Sequence, residues 1–112
     1  MAEGKRLICG GLVAVLCGGA AAADALCSDP VLPAGDAAYG AYLAGSCRSC
    51  HGAGDPGAIP AIAGMTREDF AAALIGYRCG RRTHAGMQGV ARSLGPREIA
   101  ALAAYFATGA ED

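Results

Sequence analysis

The sequence predicts an all-α fold: three main helices joined by glycine-rich loops. Three observations carry this reading. Apolar residues recur at helical spacing in three separate stretches. No stretch alternates apolar and polar residues as a half-buried strand would. Glycine and proline, 18 and five in a chain of 112 residues, cluster between the periodic stretches.

That length allows one domain. Hydrophobic residues make up 54% of the chain but aromatic residues only 5%, and much of the remainder is alanine, which buries little area. A core this small usually needs a disulfide, a metal, a cofactor or a partner. The formal net charge of −1 lacks the basic excess of a nucleic-acid protein, so no nucleic-acid partner is expected. The chain is also too apolar to be disordered.

Residues 1–23 read as a secretory signal. Lys5 and Arg6 form a positive start, an apolar run follows from Leu7, and Ala21–Ala22–Ala23 before Asp24 offers a small-residue cleavage site. The apolar run sits at the lower limit for a membrane span, and glycine interrupts it. The expectation is therefore a cleaved signal, a periplasmic protein and no membrane insertion after cleavage. Removal of the signal takes Cys9 and Cys17 with it. Cys27, Cys47, Cys50 and Cys79 remain, in an oxidising compartment where cysteines end up bridged or bound.

Residues 24–35, with Pro30, Pro33 and Gly35, read as an extended N-terminal segment, and residues 36–112 as the domain proper. Asp36 caps a first helix from Ala37 to about Cys47, where Tyr39, Leu43 and Cys47 share one face. A loop rich in glycine and proline spans residues 52–60. Thr66 caps a second helix running to about Arg78, with Asp69 in the capping-box position and Phe70, Leu74 and Tyr77 as its stripe. Gly80 ends it. Residues 80–95 read as irregular, with a short turn near Val90–Ser93. Pro96 opens the last helix, which reaches about Thr108 and stops at Gly109. Ile99, Leu102 and Phe106 lie on one of its faces.

The chemistry lies in Cys47–Arg48–Ser49–Cys50–His51. C-x-x-C-H is the attachment sequence for c-type haem. Two cysteines three apart on a helical turn reach the two vinyl groups of a porphyrin and form thioethers. His51 then lies under the ring, where its imidazole binds the iron. A redox disulfide would expect a βαβ context, and none is visible. A zinc site would need a second ligand pair, and Cys79 with His84 fits no common spacing.

Histidine with methionine is the ligand pair of cytochromes c. Met87, in the irregular stretch, is the expected sixth ligand. Met65 stands directly before a capped helix and reads as core, while His84 is the competing ligand or a surface histidine. Pro60, nine residues after His51, can offer its carbonyl to the other ring nitrogen of that histidine. A disulfide between Cys27 and Cys79 is the simplest account of the remaining thiols; free thiols or a bond to a partner subunit are the alternatives. Arg78, Arg81, Arg82, Arg92 and Arg97 make the second half locally basic. They suit propionate pairing, a docking patch or a solvated face.

With these residues in hand, the chain resembles the class I c-type cytochromes over residues 36–108. The resemblance implies helices and glycine-rich loops wrapping one covalently bound haem c. Gly40 and Leu43 match first-helix positions packed on an aromatic pair, here Tyr105 and Phe106. Pro60 and Ile62 match the loop on the histidine side, and Met87 matches the axial methionine. Residues 59–64, 77–82 and 98–107 resemble more closely the cytochrome subunit of flavocytochrome c sulfide dehydrogenases, and share much with c553- and c4-like cytochromes.

The resemblance implies a non-catalytic carrier of single electrons. A sulfide-oxidising flavoprotein is the expected redox partner. The alternatives are a free carrier delivering electrons to a terminal oxidase, the cytochrome subunit of another dehydrogenase such as a sulfite-oxidising enzyme, and a haem sensor with an open sixth site.

Overall fold

A computed structural model describes residues 25–52 and 59–109. The expected signal, residues 1–23, lies outside them. The described residues form four helices and no strand: α1 (Ala37–His51), α2 (Arg67–Arg78), α3 (Ala85–Arg92) and α4 (Pro96–Phe106). A helical turn over residues 25–28 precedes them, so the N-terminal segment is extended only after that turn.

Each main helix starts where local chemistry dictates. The Asp36 carboxylate accepts from the backbone N–H groups of Ala38 and Tyr39 at 2.9 and 3.3 Å, satisfying donors that the first turn leaves free. The Thr66 hydroxyl accepts from the Asp69 N–H at 3.1 Å. Pro96 occupies the first turn of α4, where its missing N–H costs nothing. Gly80 follows α2 with φ +75°, a left-handed turn that an L side chain would strain.

Two boundaries differ from the sequence reading. Helix α1 does not stop near Cys47 but continues to His51, with Arg48 and His51 in its last turn. Residues 85–92, expected as loop, are helical. Gly86 and Gly89 weaken helix propensity there, and α3 is held instead by contacts at both of its ends.

Helix α4 is the centre of the molecule. It packs against both α1 and α2, while α3 packs on α2. Every residue from Ile99 to Phe106 is buried. Its alanines keep the surface low enough for α1 to approach closely. A Cβ placed on Gly40 would lie 2.0 Å from the Ala101 carbonyl oxygen, and one on Gly35 would lie 2.1 Å from that of Ala100. Only glycine fits at either crossing. Phe106 stacks on Phe70 at 5.3 Å between ring centroids and meets Tyr105 edge-on at 5.1 Å.

Two further ties close the structure. Cys27 and Cys79 form a disulfide with Cα atoms 5.5 Å apart, joining the N-terminal arm to the end of α2. The neighbouring Leu26 is buried in the core. The Gly64 N–H donates to the carbonyl of Phe106 at 2.9 Å, which pins the segment after Pro60 to the end of α4.

Candidate haem-attachment site

The last turn of α1 carries the motif. Cys47 and Cys50 stand three residues apart on a continuous helix, so they share a face. Both are free thiols while Cys27 and Cys79 are paired. Cys47 is half-buried against the core and Cys50 is exposed. Burial is the main influence on the Cys47 thiol and pushes its pKa up, against smaller opposing effects of Ser46 and Arg48. A thiol-redox centre calls for the opposite, a lowered pKa.

His51 follows directly. Its Nδ1 lies 2.7 Å from the carbonyl oxygen of Pro60. A carbonyl only accepts, so Nδ1 is the donor and Nε2 keeps its lone pair. A histidine that binds a metal through one nitrogen is oriented in this way through the other.

The remaining expected residues fall on separate elements. Met87 is the third residue of α3, and its side chain is half-buried against the core. Met65 is also half-buried there, just before the Thr66 cap, and its N–H donates to the Ile62 carbonyl at 3.3 Å. His84 is exposed and caps α3: its Nδ1 accepts from the Met87 N–H at 3.2 Å. Among the described residues, no three His, Cys, Asp or Glu side chains come together as a metal cluster would require.

Three roles had no local signal. The guanidinium of Arg48, inside the motif, lies over the Tyr105 ring at 5.2 Å from its centroid and donates to the Tyr105 hydroxyl, tying α1 to α4. Its Nε is buried without a hydrogen-bond partner among the described residues. Arg82 and Arg97 each lie 4.8 Å from an aromatic centroid, over Tyr77 and Tyr39 respectively. Arg78 donates to backbone carbonyls of the α3 end. Three of the five arginines that read as a basic patch thus have contacts within the fold.

The donor set fits a covalently held haem. Two unpaired thiols stand on one helical turn, and the next residue is a histidine with one free ring nitrogen. Leu43, Ile62, Met65, Met87 and Leu94 touch the core with only part of their surface, an apolar set suited to a porphyrin face.

No protein-family model matches the chain. It is 37% identical over 67 residues to the thiosulfate dehydrogenase electron acceptor of Thiomonas intermedia strain K12, a match covering 56% of this chain and 31% of that protein. It is also 37% identical over 78 residues to cytochrome c4 of Pseudomonas aeruginosa, covering 67% of this chain and 39% of that one. The chain thus spans less than two fifths of the length of either relative. The helical fold, the C-x-x-C-H turn and these relatives support a class I c-type cytochrome.

Proposed function

We propose that this chain carries single electrons through one haem c bound by thioethers at Cys47 and Cys50, with His51 and Met87 as axial ligands. When bound, the haem supplies an iron that cycles between ferrous and ferric states. The chain's own residues hold it, orient its ligands and shield it from water. The observation that carries the reading is the His51–Pro60 hydrogen bond, which fixes the imidazole and leaves Nε2 for the metal. Met87 is preferred to Met65 because it stands on α3, a short helix two elements removed from the motif. A methionine there supplies the thioether of a histidine–methionine pair.

The charge-transfer band of methionine-ligated ferric haem, at the red edge of the visible spectrum, tests the ligand set. Met87→Ala should abolish the band and Met65→Ala should keep it. Persistence of the band in Met87→Ala would assign the sixth ligand elsewhere.

We further propose that the chain is the non-catalytic cytochrome partner of a sulfur-compound dehydrogenase, with a sulfide-oxidising flavoprotein as its electron donor. A relative named as the electron acceptor of a thiosulfate dehydrogenase supports a sulfur-oxidising donor of this general kind. Similarity to a cytochrome c4 favours a second reading, a free carrier delivering electrons to an oxidase. Purification of the native protein separates them: a co-purifying flavoprotein supports the first reading, and a free monomer the second. The signal-like residues 1–23 support a periplasmic location, and no described helix is long and apolar enough to cross a membrane.

A further inference from the structure

Helix α3 is eight residues long and contains Gly86 and Gly89, so its own propensity is weak. It nevertheless carries Met87. Two residues from outside its helical span hold its ends. At the start, the Met87 N–H is met by His84. At the finish, Nη1 of Arg78 shares its two N–H groups among three carbonyls of the α3 terminus, those of Leu94 at 2.6 Å, Ala91 at 3.2 Å and Arg92 at 3.4 Å.

The Ala91 and Arg92 carbonyls belong to the last turn of α3 and that of Leu94 follows its cap, a place where the helix dipole favours a cation. Arg78 is itself the last residue of α2, and the next residue, Cys79, is bridged to Cys27. Its own backbone is therefore anchored. Ala91, one turn beyond Met87, is fully buried.

We propose that Arg78 is a positioning residue for the sixth iron ligand: it clamps the C-terminal end of α3 and so holds the Met87 thioether in place. This rests on the proposed role of Met87. Loss of the clamp removes the side-chain tie at the C-terminal end of the helix and leaves that end held by packing alone. The methionine then spends more time away from the metal, without any change in the residues that touch it.

The test is imidazole binding to the ferric holoprotein, followed by its absorption spectrum. Imidazole takes the sixth position only when the methionine has left, so its apparent affinity rises in proportion to the methionine-off fraction. Met87→Ala should bind imidazole more tightly than the parent. Arg78→Gln should tighten binding by about tenfold, the scale of a charged hydrogen-bond group. Arg78→Lys keeps the charge and the donors but lacks the reach of the guanidinium, and should fall between. Arg82→Gln removes a neighbouring positive charge that rests on Tyr77 instead, and should match the parent.

Equal affinities for Arg78→Gln and Arg82→Gln would overturn the clamp while leaving Met87 as ligand. If Met87→Ala binds imidazole no more tightly than the parent, the sixth ligand is misassigned and the positioning role falls with it. Should Arg78→Gln not accumulate, Arg78→Lys carries the test, and unchanged affinity in that variant overturns the proposal.

Discussion

Gly40 and Ala101 mark the closest approach of α1 to α4: a Cβ on the glycine would stand 2.0 Å from the alanine's carbonyl oxygen. The obstacle is backbone, so it cannot rotate aside. Gly40→Ala should destabilise the holoprotein by about 3 kcal/mol, at the upper end of overpacking costs. Gly45 lies on the same helix with no atom within 4 Å of its would-be Cβ. Gly45→Ala should therefore stabilise by roughly 0.5–1 kcal/mol. Urea titration of the two variants reads both signs, and equal effects would place the crossing elsewhere.

The disulfide closes a sequence separation of 52 residues. Loop-closure entropy for that length predicts a loss of about 4 kcal/mol when Cys27 and Cys79 are both replaced by alanine. Denaturant unfolding of the holoprotein, monitored by helical circular dichroism, gives the difference. The haem-motif thiols are left intact in this variant, so its haem content should not change.

Tyr105 receives the Arg48 side chain through both its ring and its hydroxyl. Tyr105→Phe keeps the ring and removes the hydroxyl. A group of the guanidinium is then left unpaired in a partly buried place, at a cost of about 1–3 kcal/mol. Tyr105→Leu should cost more, because the cation–π contact and the edge-on packing on Phe106 go too.

Among the described residues the buried core draws its bulk from eight side chains, Leu26, Phe70, Leu74, Ile75, Ile99, Leu102, Tyr105 and Phe106, and is otherwise alanine. A core of that size does not hold a small domain alone. A Cys47→Ala, Cys50→Ala double variant, which cannot attach haem covalently, should be largely unfolded by circular dichroism. A compact double variant that melts cooperatively without haem would contradict this.

Much of the fold could be read from local signals, and the exceptions share a cause. Helix α2 follows the expectation closely because Thr66 and Gly80 mark both of its ends in the sequence. Helix α3 was hidden because two glycines resemble loop punctuation and its cap is a histidine rather than one of the usual short polar residues. Its support at the far end comes from Arg78, on another helix. The motif itself was legible as five residues in a row. The contact between Arg48 and Tyr105, 57 residues apart, has no trace in local pattern. What sequence periodicity conveys is which face a residue occupies; which partner arrives there is settled by packing.

The sulfur arrangement also constrains how the molecule is made. The four cysteines among the described residues admit three sets of two disulfides, and of these bonds Cys27–Cys79 is formed while Cys47 and Cys50 stay free. Were Cys47 and Cys50 to oxidise to each other, neither could add to a vinyl group. For the proposed attachment to form, one pair must be oxidised and the other reduced within the same short chain. On the proposed attachment, the porphyrin must meet the α1 turn with both of its sulfurs reduced.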